Sequence, residues 1–450
     1  MTRFLLEGIT SVTKGTKRSR REKSHSEQHV WYRLDNAALI YPSVQSDRIT
    51  TVFRISMTLK NRVDPQVLQQ SLEAIIAYFP FYRVRLKRGF FWYYLEHNPK
   101  IPHVEKDVRY PMGRVHPNLG SRFLFRVRYW QSRIAVEFCH ILTDATGGLT
   151  FLKALVYDYL ERKGKNPGEP CEIPTGKLSA EEAEDAYNRF YKSTLPLPDK
   201  GSKAYHPPGR LLLPGTILIT TGIIPLEYAI REAKNRKVTL SVMLAAVYMD
   251  ALQELQDSRT SKNTKKRPVA LQVPVNMRNI YPSKTLRNFS LFVIPEIDPR
   301  LGQYSFEEIL QVVRETMLTQ TNEKAISRYL SRNVGGQRNW LIRATPLALK
   351  KLLMPLLYTR MGEDLYSGTL SNIGLVKLPE GMTKEVERID FILGSSPVNK
   401  TGCAVCGYGD KLVISFSRVI TDTDLERLFF TRLIKMGIPV RIETNAAINT

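Results

Sequence analysis

Cysteine is scarce in this sequence, and it contains no long apolar run. The 450 residues include four cysteines, too few for a disulfide framework in a chain of this length: Cys139, Cys171, Cys403 and Cys406. The longest uncharged stretch, 211–226, is interrupted by prolines and glycines and is shorter than the roughly 20 apolar residues that a membrane-spanning helix needs. A glutamate interrupts the one apolar run near the start, so no secretory signal peptide is expected. We therefore expect a cytoplasmic protein.

Glycine and proline are also infrequent, with 26 residues of each, which excludes collagen-like and low-complexity chains. Aromatic residues make up 10% of the chain and apolar residues 43%, so its bulk can bury a core and is not disordered. A length of 450 residues suits two domains of about 200 residues each.

Acidic residues are outnumbered by basic ones, since 43 Asp and Glu stand against 66 Lys and Arg and leave a net charge of +23. Residues 1–29, interpreted as a basic flexible tail, contribute only +4, so the folded body is itself basic. Such a surface suits an anionic partner, either a nucleic acid, a membrane or a phosphate-rich small molecule. The tail pairs apolar residues with a basic cluster, which would suit peripheral contact with an anionic membrane. Solubility and a disordered terminus explain the same features without a partner.

Hydrophobic periodicity predicts an α+β protein. Alternating apolar residues indicate a strand at 133–139, and apolar residues at helical spacing indicate a helix over 149–159. Residues 165–214 carry eight of the 26 prolines and are typical of an inter-domain connection. These features divide the chain into an N-terminal domain over 30–178, a linker over 179–214 and a C-terminal domain over 215–450.

One segment, 137–148, carries residues suited to chemistry. A strand delivers His140 at its end, Asp144 follows in a short loop, and Gly147 and Gly148 precede an amphipathic helix. Histidine has the pKa range that general-base catalysis requires near neutrality, an aspartate four residues on can hold the loop, and glycines allow close backbone approach. The His-x-x-x-Asp pattern also fits an ordinary hydrogen-bonded histidine at a strand end. No second histidine lies at ligand spacing, so a metal site is not expected.

The unit of strand, His-x-x-x-Asp, glycines and helix resembles the active-site motif of the CoA-dependent acyltransferase superfamily. That superfamily includes chloramphenicol acetyltransferase, alcohol O-acetyltransferases, wax-ester synthases and the condensation domains of peptide synthetases. The resemblance covers most of residues 31–445 and is nearest to the bacterial alcohol O-acetyltransferase-like branch. Four further segments carry it: 31–42, 79–83, 273–289 and 370–374.

The resemblance implies two chloramphenicol-acetyltransferase-like domains, each a mixed sheet with flanking helices, and an active-site tunnel between them. His140 would act as the general base that takes the proton of an alcohol (or amine) acceptor while the acceptor attacks the thioester of acyl-CoA. Acyl-CoA would be a co-substrate, and no permanently bound cofactor is implied. Asp144 would be structural, paired with Arg83 or with Arg278.

The resemblance also assigns a site for the oxyanion that forms during acyl transfer. Its donor would be Ser371 or Asn372, in a segment similar to the Ser-Asn-x-x-Gly strand end of the superfamily.

Two positions depart from the pattern. Cys139 replaces the first histidine of condensation domains, which argues against peptide-bond formation, and Ala145 replaces the glycine that usually follows the aspartate.

Other interpretations remain open. A non-catalytic or carrier-protein-binding member of the same fold would use the basic surface for docking. Nucleic-acid binding is not expected, because no recognised binding motif accompanies the charge. The aromatic run 90–94 is interpreted as a hairpin packed into the core, and the Cys403–Cys406 pair as buried strand cysteines. We expect a monomer.

Overall fold

The structure is a computed structural model that describes residues 31–115, 120, 122–169, 181–196, 201–259 and 265–446. The predicted tail 1–29, Cys171 and parts of the predicted linker lie outside the described residues. The described residues form an α+β protein with two large mixed sheets, as predicted.

The first half of the chain builds a five-stranded sheet and a small antiparallel sheet. Its elements, in chain order, are β1 (Trp31–Arg33), α1 (Tyr41–Val44), β2 (Val52–Leu59), α2 (Pro65–Ile75), β3 (Val84–Arg88), β4 (Tyr93–His97), β5 (Val104–Lys106), β6 (Phe125–Trp130), β7 (Arg133–Cys139), α3 (Ala145–Arg162) and α4 (Ala186–Arg189).

The second half builds an eight-stranded sheet and most of the helices. Its elements are β8 (Leu218–Pro225), α5 (Leu226–Asn235), α6 (Leu240–Arg259), β9 (Val269–Asn276), β10 (Ser290–Val293), β11 (Glu296–Ile297), α7 (Phe306–Gln320), α8 (Glu323–Arg338), α9 (Trp340–Ala344), α10 (Leu347–Met361), β12 (Gly368–Leu375), α11 (Glu380–Glu385), β13 (Val386–Ile392), β14 (Thr401–Tyr408), β15 (Lys411–Arg418), α12 (Asp424–Lys435) and β16 (Arg441–Thr444).

One strand of the second half joins the sheet of the first half. The five-stranded sheet has the order β13-β2-β7-β6-β5, so β13 from the second half forms its edge by pairing antiparallel with β2. The larger sheet runs β10-β9-β12-β14-β15-β8-β16, with β11 also paired to β9. The third sheet, β1-β4-β3, is antiparallel. Because β13 is hydrogen-bonded to β2, the second half is fixed to the sheet that carries the His-x-x-x-Asp motif.

Local sequence explains the elements that border the motif. The strand predicted at 133–139 is β7, and its apolar side chains are buried against α3 and β2. Phe138 stacks on Phe53 and Phe125 and meets Phe151 of α3 edge to face. Each such ring contributes about 1.5–3 kcal/mol by leaving water. These aromatic contacts fix the end of β7 relative to the start of α3.

One packing prediction for the hairpin is wrong. Phe90 and Phe91 were expected in the core, but their side chains are 72% and 43% exposed. The turn spans 89–92, closed by a bond from the Gly89 amide to the Trp92 carbonyl oxygen, so both phenylalanines are turn residues and lie outside the sheet. Cys403 and Cys406 are buried in β14, as predicted.

Among the described residues, no single helix is long and apolar enough to cross a membrane. The helices α5 and α6, bent by 86° at their junction, pass that test as a pair on length and composition.

Candidate active site

His140 follows the last residue of β7 and enters a cavity of about 1140 Å³ between the two halves. Its backbone N–H donates to the carbonyl oxygen of Thr51, 2.8 Å away, which continues the pairing of β7 with the chain before β2. The imidazole lies between two rings: the centroid of Phe53 is 4.8 Å away and that of Tyr41 is 5.6 Å away. The strand end therefore holds the ring in the cavity, as the sequence predicts.

Both halves of the chain line this cavity. The first half contributes Tyr41, Phe53 and the His140–Asp144 segment, while the second half contributes side chains of β9, β10 and β12 and of the helices α8 to α10. A substrate in this cavity would contact residues that are more than 200 positions apart in sequence.

Asn288 fixes the tautomer of His140. Its Nδ2 donates to two groups that can only accept, the His140 carbonyl oxygen at 2.9 Å and the Asp35 carboxylate at 3.1 Å. The amide oxygen Oδ1 is then the atom that faces His140 Nδ1, at 3.3 Å. An accepting oxygen at this position requires the proton on Nδ1 and leaves the Nε2 lone pair for a substrate proton.

Asp35 completes this network from the segment after β1. Its side chain is fully buried and accepts from the Ala38 amide at 2.8 Å as well as from Asn288. Arg287 Nε lies 3.6 Å from Oδ2. Burial raises the pKa of Asp35 to about 6, against the opposing charge of Arg287. The carboxylate therefore remains the acceptor that orients Asn288 at neutral pH.

The residues Asp35 and Asn288 lie in segments that support the superfamily resemblance, but the sequence does not assign them a role. Asn288 is 148 positions from His140, and no periodicity links such distant residues. A buried polar side chain requires a hydrogen-bonding partner, yet the sequence does not say which partner.

Asp144 binds four donors and begins α3. Its Oδ1 accepts from the amides of Thr146 and Gly147, at 3.1 and 3.3 Å, which makes it the N-cap of the helix. Its Oδ2 accepts from Arg278 Nη1 and from the Phe289 amide, both at 2.9 Å. The aspartate therefore joins the motif loop of the first half to the segment 278–289 of the second half.

Arg278 is the arginine that pairs with Asp144. Arg83, the alternative left open by the sequence, donates to the carbonyl oxygens of Asn98 and Pro99, both at 3.3 Å. Arg278 also donates to the carbonyl oxygen of Thr285 at 2.9 Å, so the guanidinium holds the loop that carries Asn288. The ion pair therefore supports the position of His140 indirectly, through the backbone.

Gly147 permits a close approach between the two halves. A Cβ at this position would overlap the hydroxyls of Thr143 and Tyr82 and the carbonyl oxygen of Leu286. These three groups are themselves hydrogen-bonded, with Thr143 Oγ1 donating to the Leu286 oxygen at 2.6 Å. Gly148 lies against the ring of Phe53, and Ala145 is simply the first residue of α3.

We expect Gly147→Ala to lower the free energy of unfolding by about 1–3 kcal/mol, because the added methyl group overpacks a crowded, hydrogen-bonded junction. Gly336→Ala is the matched control, since Gly336 lies in the helix α8 and a Cβ there meets nothing within 4 Å. That control should be neutral or stabilising by up to about 1 kcal/mol. Urea unfolding of both variants measures the difference, and equal stabilities would contradict the close approach.

Ser371 and Asn372 lie on β12 and line the same cavity as His140. The Asn372 amide is engaged on both sides, since its Nδ2 donates to Ser241 Oγ at 3.0 Å and its Oδ1 accepts from the Gly374 amide at 2.8 Å. Their predicted role as oxyanion donors stays a prediction.

The pKa of His140 is lowered by burial of the ring, and this effect outweighs the hydrogen bond to Asn288, the negative charge of Asp144 and a backbone hydrogen bond at Thr143. Burial raises the pKa of Cys139 against the opposing effect of its contact with the Thr51 hydroxyl, so the thiol stays neutral at physiological pH. The His140 imidazole therefore lines the cavity, whereas the Cys139 thiol is buried and does not.

No protein-family model and no curated protein matches the chain. Many solved structures match across most of its length. The first condensation domain of the calcium-dependent antibiotic synthetase, in complex with a substrate analogue, is 15% identical, covers 91% of this chain and 96% of its own, and has a TM-score of 0.60. The trichothecene 15-O-acetyltransferase from Fusarium sporotrichioides is 11% identical, with coverage of 92% and 96% and a TM-score of 0.57.

A third neighbour is the starter condensation domain of rhizomide synthetase, a mutant in complex with C8-CoA and Leu-SNAC. It is 14% identical, covers 90% of this chain and 94% of its own, and has a TM-score of 0.56. At these identities the likeness concerns the fold. The chain therefore has the α+β fold of these condensation domains and of the trichothecene acetyltransferase.

Proposed function

We propose that this protein is an acyl-CoA-dependent acyltransferase that moves an acetyl or longer acyl group from CoA to an alcohol (or amine) acceptor. The observation that supports it best is the tautomer of His140. Asn288, itself held by Asp35, places the proton on Nδ1 and leaves Nε2 free in a cavity between the two halves. A general base must have a free lone pair within reach of the substrate.

The reaction would proceed in two steps at His140. As the acceptor oxygen attacks the thioester carbon, Nε2 takes the hydroxyl proton and a tetrahedral oxyanion forms. The carbon–sulfur bond then breaks, the ester carbonyl re-forms, and the imidazolium returns the proton to the departing CoA thiolate. Ser371 or Asn372 would donate to the oxyanion, a contact usually worth about 10²–10³ in rate.

An alcohol acceptor is favoured over an amino-acid acceptor. Cys139 stands where condensation domains usually carry a first histidine, and its buried, neutral thiol supplies no second base. One of the solved neighbours is an O-acetyltransferase, and another was solved with C8-CoA. The acyl donor would be bound transiently as a co-substrate, and its phosphates suit the positive surface of a chain with a net charge of +23.

The pH dependence of kcat/KM should have an acid limb to which His140 contributes together with Asp35, whose pKa of about 6 lies in the same range. Because burial lowers the pKa of His140 below 6.5, the imidazole is mostly neutral at pH 7, and raising the pH adds little active form. Below the lowered pKa the ring is protonated, cannot accept the acceptor proton, and kcat/KM should fall about tenfold per pH unit. Quenched-flow assays of thiol release across this range measure the profile, and a midpoint above 6.5 would argue against His140 as the base.

The direct test is a screen of acetyl-CoA and longer acyl-CoA donors against a panel of alcohols and amines. Release of free CoA thiol and formation of the ester or amide are both measured, so hydrolysis is separated from transfer. Turnover with at least one alcohol supports the proposal. Binding of acyl carriers without any turnover would instead support the non-catalytic, carrier-binding alternative.

A further inference from the structure

The helix α10 is apolar on two opposite sides. On its inner side, Leu347 is buried, while Met354 and Tyr358 line the His140 cavity. The outer side carries five leucines at spacings of three and four residues, with exposed fractions between 42% and 74%: Leu349, Leu352, Leu353, Leu356 and Leu357. A helix that is apolar all round is normally buried. Within the part of the chain that the structure describes, nothing covers this outer side.

Neighbouring elements extend the exposed apolar surface. In α9, Trp340 is 72% and Leu341 58% exposed. The turn between β3 and β4 is joined to α10 by two hydrogen bonds of 2.9 Å, from the Leu347 amide to Phe90 O and from Lys350 Nζ to Phe91 O. We call the combined surface the docking face: Phe90, Phe91, Trp340, Leu341, Leu349, Leu352, Leu353, Leu356 and Leu357. Exposed apolar side chains in this number mark an interaction site.

The charges around the docking face are mostly positive. Residues 324–362, between Glu323 at the start of α8 and Glu363 after α10, contain eight Lys and Arg and no Asp or Glu. Arg343 and Arg360 are exposed and form no ion pair with any described residue. An apolar helix surface bordered by cations matches an anionic bilayer, where leucines enter the acyl boundary and cations meet phosphates. A second copy of this basic chain, or its own basic tail 1–29, would bring like charge to the same surface.

We infer that the docking face binds the surface of an anionic lipid bilayer. Since the inner side of α10 lines the His140 cavity, the bilayer would lie one helix thickness away from the candidate active site. An acceptor held in the bilayer then has a short path along α10 to His140. This part of the inference rests on the proposed function and names its acceptor class, a lipid-like alcohol.

Co-sedimentation with vesicles tests the docking face directly. The full chain is incubated with vesicles of phosphatidylcholine alone and of phosphatidylcholine mixed with phosphatidylglycerol. The wild type should bind the anionic vesicles. The double variant Leu352→Asp/Leu356→Asp should bind them at least about tenfold more weakly. The matched control is Leu213→Asp/Leu301→Asp, which adds the same two charges at leucines that are both 80% exposed and lie outside the docking face. That control should bind as the wild type does.

A second measurement separates docking from chemistry. The docking variant should keep wild-type turnover with a short, water-soluble alcohol, because neither substituted leucine lines the cavity. It should lose about tenfold or more of the turnover with a long-chain alcohol presented in anionic vesicles. If no alcohol is acylated by any form of the protein, the proposed function fails, and the co-sedimentation result still decides the docking face.

Three outcomes would overturn the inference. The first is equal vesicle binding by the docking variant and its control. The second is a concentration-dependent dimer, measured by sedimentation velocity, that the docking variant abolishes, since this would assign the face to a second copy. The third is vesicle binding that requires residues 1–29 and is unaffected by the docking variant.

Discussion

Replacing His140 with alanine is expected to lower the rate of acyl transfer by roughly 10²–10⁴-fold while the fold stays intact. The imidazole is the group whose Nε2 is left free by the Asn288 contact, and the neighbouring Cys139 thiol is held neutral by burial. Alanine therefore removes the proton acceptor and leaves nothing in its place. The measurement is initial-rate formation of the acylated alcohol at saturating acyl-CoA, with the melting temperature recorded for the same preparation.

The matched control for this loss is His103→Ala. His103 is an exposed histidine that does not line the cavity, so its removal should leave the rate unchanged. Near-normal turnover by a folded His140→Ala protein would reject the general-base role. Loss of both turnover and melting transition would show instead that the ring is needed for packing between Phe53 and Tyr41.

The part of the candidate site that is local in sequence could be predicted. The strand that ends before His140, the capping position of Asp144 and the helix that begins at Ala145 follow from short-range rules of alternation, capping and periodicity. These rules act over fewer than 20 residues. The site's local geometry therefore follows from one contiguous segment.

The long-range part could not be predicted. The choice between Arg83 and Arg278 depends on which loop the fold brings to Asp144, and both arginines lie outside the motif. Strand β13 joins the sheet of the other half, although the order of elements along the chain favours pairing within each half. The exposed side of α10 shows the same limit, because its leucines have the spacing of a buried helix and only the structure reveals that one side is uncovered.

Removal of the Asp144 side chain should have the largest effect on stability. Asp144→Ala is expected to lower the free energy of unfolding by about 3–5 kcal/mol, because it leaves the largely buried Arg278 guanidinium without its carboxylate. The exposed fractions of the two side chains are 7% and 12%. The same change removes the N-cap of α3 and the acceptor of the Phe289 amide.

Asp144→Asn separates the ion pair from the cap. Asparagine caps helices about as well as aspartate, so this variant should keep the bonds to Thr146 and Gly147 and lose the charge that faces Arg278. The cap contributes about 1 kcal/mol, but the Nδ2 donor then faces two other donors, Arg278 Nη1 and the Phe289 amide, so the variant should remain clearly less stable than the wild type. Urea unfolding of Asp144→Ala, Arg278→Ala and the double variant gives the coupling energy of the pair.

Glu380→Ala is the control for this cycle, because Glu380 pairs with Lys384 on the surface, where both side chains are mostly exposed. Surface pairs of this kind contribute little, so its melting temperature should match that of the wild type. A strong coupling between Asp144 and Arg278 would support the view that the aspartate holds the two halves together. If Asp144→Ala kept full stability and lost only turnover, Asp144 would act on the proton transfer itself, and the structural role would have to be withdrawn.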